Sequence, residues 1–337
     1  MLCFDNAKGH MNAFKPAWGL KNHHLQSILS STGPRKLLEK RRAKRLLNSA
    51  QPQLLTSPQG VTLLSYLSKA KQPAKGLAII VHGWEGSADS LYMLATGQRL
   101  LDEGYDVARL NLRDHGDTHH LNKALFNSTR LQEVAEAVKS LCAQFGGAHN
   151  LLCGYSLGGN FCLRVANIAK QQNIALNQVI AICPLLHPPT TMDRLNNGFP
   201  VYEKYFVKKW KRSLFKKLQH HNHFDYGEAL AKLTTLDQMN DFFVIDYTEF
   251  KSTNDYFEAY SILGDALSDV ALPTTIISAV DDPIIPVEQH QQLFPSAWIN
   301  IELQQYGGHC AFIKNWKFES WLSDRIACLV NNKKNTK

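Results

Sequence analysis

The stretch "LLCGYSLGGN", Leu151 to Asn160, sets Ser156 between Gly154 and Gly158. Neighbours without a Cβ let a strand turn sharply into a helix and leave the serine hydroxyl exposed, the geometry a nucleophile needs. By itself the pattern is weak, because an ordinary serine in a tight strand-to-helix turn reads the same way. A hydroxyl attacks poorly until a base takes its proton, and that base needs an acid to hold its tautomer and stabilise its charged form. Two later stretches carry those residue types: "SAVDDPIIP" holds Asp281 and Asp282, and "QQYGGHCAF" holds His309. Pro283 favours a turn at Asp282. The aspartates therefore also read as turn residues, and His309 as a histidine in a glycine-flanked loop. The chain order of serine, acid and histidine is one that acyl-transfer enzymes use.

The elements that must position these groups follow from the hydrophobic pattern. From Val61 onward, β-rich runs ("VTLLSYL", "GLAIIVHG", "YDVARLNLR", "HNLLCGYS", "LNQVIAICPLL") alternate with amphipathic helical ones ("SLYMLATGQRLLDEG", "RLQEVAEAVKSLCAQFGG", "LGGNFCLRVANIAKQQN"). Such alternation predicts an α/β fold, a mostly parallel sheet with helices on both faces. The rhythm breaks at His187 and resumes at "PTTIISAV", "INIELQQY" and a last helix through "WKFESWLSDRIACLV". Ser156, Asp282 and His309 each fall at the carboxyl end of a predicted strand. The expected organisation is an N-terminal extension over 1–60, core over 61–186, an inserted helical cap over 187–262, core again over 263–331, and a basic tail over 332–337.

A tetrahedral intermediate also needs N–H donors for its oxyanion. The residue after the nucleophile, Leu157, is one candidate, and Trp84 in the loop "VHGWEGS" is the other. His82 precedes the serine and reads as a residue that holds this loop. The histidines of "RDHGDTHH" and "QHHNHFD" lack the helical spacing of a metal site, so neither a metal nor another cofactor is expected.

Bulk properties bound the rest. A chain of 337 residues with 44% hydrophobic content supports one large domain. No apolar run approaches the ~18 residues of a membrane-spanning helix, and Met1 to Met11 lacks the order of a secretory signal. A soluble, cytoplasmic protein is expected. The seven cysteines show no C-x-x-C pair and are expected reduced and buried. The net charge of +8 clusters at Arg35 to Leu47, at Lys208 to Lys217 and in the tail. In the second cluster Tyr202, Phe206, Trp210, Leu214 and Leu218 recur every four residues, with Lys204, Lys208, Lys211, Arg212 and Lys217 mainly off that stripe. Burial of the stripe is the favoured reading; the other lays it on an anionic lipid surface.

Taken together, the stretches "FKPAWGLKNHHLQSIL", "HGWEGS", "NLRDHGDTHHLN", "GYSLGGN", "VDDPIIP" and "GGHCAF" resemble the YheT-like α/β-hydrolases, which are related to eukaryotic abhydrolase proteins acting on acyl esters and lipids. The resemblance runs from Phe14 to the final helix. It implies an α/β-hydrolase fold with Ser156 as nucleophile, His309 as base and, of the two aspartates, Asp282 as the orienting acid. One departure is Ala311, where the resemblance leads one to expect glycine. The function expected is a serine hydrolase, carboxylesterase or lipase-like, cleaving a small-molecule or lipid ester through an acyl-enzyme. The alternatives are a binding protein on a hydrolase fold, or thioester or C–C chemistry on the same three residues. Nucleic acid is not an expected partner, since the basic clusters lack the elements of nucleic-acid readers. The oligomeric state is not legible.

Overall fold

The computed structural model describes residues 13–71 and 73–331; the basic tail over 332–337, Cys3 and the Met1 to Met11 stretch lie outside them. Eight strands form one sheet in the order β1-β2-β4-β3-β5-β6-β7-β8, with β1 at Gln51–Thr56, β2 at Thr62–Ser68, β3 at Leu77–Val81, β4 at Asp106–Leu110, β5 at Asn150–Tyr155, β6 at Gln178–Ile182, β7 at Thr274–Ala279 and β8 at Ile299–Gln304. The pairs β1/β2 and β2/β4 are antiparallel and every other pair is parallel.

Strands β3 to β7 are buried along their whole length, as apolar runs covered on both faces should be. Their side chains alternate between two cores. Leu77, Ile79 and Val81 pack with Val134, Val138 and Phe161 from the helices Leu131–Phe145 and Leu157–Ile168. Ala78 and Ile80 pack with Met93, Leu94, Leu322 and Ile326 from the helices Leu91–Asp102 and Trp321–Asn331. Parallel strands bring their carboxyl ends to one rim, which is where an open α/β sheet places its site.

Strand β1 falls inside the stretch read as an N-terminal extension. It is an edge strand carrying Pro52, exposed along most of its length, so it lacks the burial pattern that marks the inner strands. The basic run beginning at Arg35 forms two helices, Arg35–Arg42 and Lys44–Asn48. Ala43 and Leu46 of this run join the core against the helix Leu91–Asp102.

Between β6 and β7 lie the helices Pro188–Asn197, Pro200–His220, Gly227–Lys232, Leu236–Tyr247 and Thr253–Glu258. The long one, Pro200–His220, starts with proline, which lacks the N–H that a first turn leaves unpaired. It turns its aromatic stripe inward: Phe206 stacks on Trp84 at 5.0 Å and Trp210 meets the same ring edge-on at 5.3 Å. Tyr202 and Leu214 are buried and Leu218 packs against buried neighbours. The stripe is thus occupied by the protein's own interior. Lys217, read from sequence as lying mainly off that stripe, is fully buried. Its Nζ donates to Asp114 Oδ1 at 2.7 Å and to the carbonyls of Asn122 and Ala124, tying the helix to the loop after β4. A helix with a long apolar stripe leaves room at its margin for a flexible lysine to reach inward, provided partners await it. Among the described residues no helix is long and apolar enough to cross a membrane, and the six described cysteines form no disulfide, with Cys328 exposed and the other five buried.

Candidate active site

Ser156 sits alone between the end of β5 and the helix that begins at Leu157, with φ 54° and ψ −119°. A non-glycine residue adopts such a conformation only where its surroundings hold it. Here the Ser156 N–H donates to the Ile182 carbonyl at 2.9 Å, and its own carbonyl accepts from Asn160 and Leu185. Both glycines of the motif are required by close approach: a Cβ on Gly154 would overlap the Gly158 carbonyl, and one on Gly158 would overlap the carbonyls of Val81 and His82. Buried Asn160 then bonds the Leu185 and Tyr260 carbonyls at 2.9 Å each, locking the turn to the segment beyond β6.

The rim collects the other two candidates. Ser156 Oγ donates to His309 Nε2 at 2.9 Å, and His309 Nδ1 donates to Asp282 Oδ2 at 2.9 Å. The other oxygen of Asp282 accepts from the N–H groups of Ile284 and Ile285 at 2.8 and 3.0 Å. Burial, the largest single influence, would lower the imidazole pKa; the charges of Asp282 and of the neighbouring Cys310, with their hydrogen bonds, together outweigh it and hold His309 well above its usual value.

Asp281 has a separate place. Its Oδ1 accepts from the Gly308 N–H at 2.9 Å, so it shapes the loop that carries the histidine. The same loop is clamped from the N-terminal side by residues to which the sequence reading assigned no role. Ser27 Oγ accepts from the His309 N–H at 2.9 Å and donates to the His23 carbonyl at 2.7 Å. Gln26, fully buried, donates to the carbonyls of Leu20 and Ile313 and accepts from the Ile313 N–H. The signal was the run "HHLQSIL", quoted above for its resemblance only. Ala311 packs with Leu20 and Ile313, so the methyl that departs from the expected glycine fills this joint and leaves the histidine in place.

Ser27 and Gln26 touch neither the Ser156 hydroxyl nor the His309 ring; they hold the backbone at His309 and Ile313, the loop that carries the imidazole. Ser27→Ala is expected to destabilise the fold by about 1 kcal/mol and to lower kcat roughly tenfold with KM little changed. Steady-state kinetics beside a denaturant melt would check it; a loss of stability with kcat intact would leave Ser27 only a structural role.

Across from the serine, the loop after β3 presses Gly83 against it, a Cβ there lying 3.1 Å from Ser156 Cβ. His82 holds this loop as expected, with Nδ1 donating to the Gly83 carbonyl at 2.7 Å and Nε2 accepting from Leu112 N at 3.1 Å; burial keeps it neutral, its pKa well below the usual value. The Trp84 N–H finds no acceptor among the described residues, and Leu157, first in its helix, has no intrahelical partner for its own. Both residues border a cavity of about 680 Å³ that also contains Ser156 and His309. Leu185, Leu195, Phe206 and Ile284 supply its apolar wall.

The two histidine-rich stretches meet beside this cavity. His119 Nε2 bonds Ser213 Oγ at 2.8 Å, His221 Nε2 donates to the His119 carbonyl at 2.8 Å, and His115 Nδ1 donates to the Arg113 carbonyl at 2.7 Å. The rings of His119 and His221 join the long helix and the residue after it to the loop after β4, and His115 bonds within that loop. Among the described residues no group of three or more metal-ligating side chains comes together.

A family model described as serine aminopeptidase, S33, matches residues 72–309. The chain is 28% identical to a "Putative esterase" of Synechocystis sp., over 81% of its own length and 82% of that protein. It is 26% identical to "Putative esterase YheT" of Escherichia coli, over 93% of its length and 91% of the relative. The expected resemblance to YheT-like proteins is borne out. An esterase structure from Pyrococcus furiosus superposes with a TM-score of 0.57, covering 83% of this chain and 89% of that one at 14% identity. That likeness bears on the fold, which is the α/β-hydrolase fold expected.

Proposed function

Because this chain belongs to the α/β-hydrolase family described as serine aminopeptidase, S33, we propose that it cleaves acyl esters through Ser156, His309 and Asp282, by way of an acyl-enzyme. As an enzyme it acts on ester bonds. Ser156 Oγ attacks the acyl carbon while His309 Nε2 takes its proton; Asp282 keeps the proton on Nδ1 and stabilises the imidazolium. The N–H groups of Trp84 and Leu157 receive the oxyanion. His309 then protonates the leaving alcohol, and a water molecule, activated by the same imidazole, releases the acid. The observation that carries this reading is the consecutive pair of 2.9 Å hydrogen bonds from Ser156 through His309 to Asp282.

The cavity favours esters over free amino termini. An aminopeptidase needs a carboxylate to receive the substrate ammonium. Of the cavity's carboxyls, Asp89, Asp114 and Asp117 already pair with Arg109, Lys217 and Lys216, and the fourth, Glu85, feels the charges of Lys209 and Arg212 and has its pKa pushed up to about 7 by burial, which makes it a poor partner for an ammonium. Covalent labelling by a fluorophosphonate, with a panel of esters of graded acyl length, tests the proposal. Labelling with ester turnover is the expected result. Labelling without turnover of any ester would shift the reading to thioester or C–C chemistry. Absence of both would leave a binding protein.

A further inference from the structure

The cavity beside Ser156 is lined both by buried apolar residues, Leu195 and Ile284 among them, and by more exposed cationic ones. Lys209 and Arg212 project from the helix Pro200–His220, and Lys36 from the helix Arg35–Arg42. Lys36 and Arg212 are exposed and Lys209 is half-buried. None of the three has a carboxylate at ion-pair distance among the described residues. Lys209 is oriented without being neutralised: its Nζ donates to the Glu85 carbonyl at 2.8 Å and stands 5.2 Å from the centre of the Tyr205 ring. Asp89, Asp114 and Asp117 are each consumed by another cation. Glu85 is the remaining carboxyl of the lining, and burial pushes its pKa up to about 7, so near neutrality it offsets the three cations only in part.

We propose that the substrate is an acyl ester whose alcohol part carries an anionic group, a phosphate or a carboxylate, held at the mouth by Lys36, Lys209 and Arg212. The acyl chain lies along Leu195 and Ile284. This rests on the esterase reading and names its substrate class. Hydrolysis adds water across the ester: the acyl carbon gains the hydroxyl, the C–O bond to the alcohol breaks, and the anionic alcohol leaves with a proton from His309.

Three soluble esters with one acyl chain make the test: monooctanoyl-glycerol phosphate, monooctanoyl glycerate and monooctanoyl glycerol. At low salt at least one anionic ester is expected to exceed the neutral one about tenfold in kcat/KM, chiefly through KM, and the ratio is expected to shrink as salt approaches about 0.5 M. The double variant Lys36→Gln/Arg212→Gln is expected to lower that ratio about fivefold or more. Preference for the phosphate alone identifies a phosphorylated head group; preference for both anions identifies negative charge as such. Equal turnover of all three, or a ratio untouched by salt and by the double variant, overturns the proposal. If Ser156 is labelled and the neutral ester is cleaved without any anionic preference, this inference alone falls; if there is neither labelling nor cleavage, the esterase reading falls with it.

Discussion

Ser156→Ala is expected to lower kcat on any ester substrate by about four to six orders of magnitude and to abolish fluorophosphonate labelling. The size follows from what disappears: with no Oγ the proposed acyl-enzyme cannot form, and only direct attack by water remains. The fold should survive, because Ser156 Oγ makes one hydrogen bond, to His309 Nε2, while the turn is held by backbone contacts to Ile182, Leu185 and Asn160. Alanine meets the same positive φ as serine, so the melting temperature should move by no more than about 4 °C. Full esterase activity in this variant would remove Ser156 from the mechanism.

The second large effect belongs to Asp282→Asn, expected to reduce kcat by about three to four orders of magnitude. The local hydrogen bonds dictate why. One carboxylate oxygen accepts from the N–H groups of Ile284 and Ile285, so an asparagine places its carbonyl there and turns its NH2 toward His309. Nδ1 must then accept, the proton moves to Nε2, and the imidazole can no longer take the proton of Ser156.

The same pair sets the pH dependence. The proposed mechanism needs neutral His309, and Asp282 together with Cys310 raises its pKa above the ordinary value against the opposing influence of burial. The protonated, inactive form therefore persists to higher pH than for a free imidazole, and kcat/KM should climb as pH rises past neutrality. In Asp282→Asn the larger of the raising charges is gone and that of Cys310 remains, so the residual activity should rise at lower pH than in the parent. A pH profile of kcat/KM for both proteins checks this, and unshifted profiles would show that Asp282 does not govern the base.

What could be read from the chain divides by the range of the interactions involved. The sharp turn at Ser156 was legible because its causes are local: a strand, a residue between glycines, and a helix, within about ten residues. The inner strands were legible for a similar reason, since burial on both faces leaves continuous apolar runs. Strand β1 was not, because an edge strand with a proline and exposed side chains carries no such mark. From residue types alone Asp281 and Asp282 were equivalent, and only the resemblance separated them. The fold gives each a distinct partner, Gly308 N–H for one and His309 Nδ1 for the other.

Lys217 shows the limit from the other side. Its helix predicts the apolar stripe correctly, yet the lysine reaches inward because Asp114 and two carbonyls, about a hundred residues earlier in the chain, wait at the end of its stem. Ser27 meets His309 across an even longer separation, and no local pattern encodes that contact.

The sequence by itself therefore determined the kinds of groups present, their order and the local turns that display them, because backbone preference and hydrophobic period act over a few residues. Only the tertiary structure decided which groups meet: the Asp282 contact, the clamp from Gln26 and Ser27, and the cations without an ion-pair partner in the cavity lining. Hydrogen bonds and charge pairing depend on distances of a few ångströms between side chains, and those distances are set only when the sheet brings remote segments to one rim.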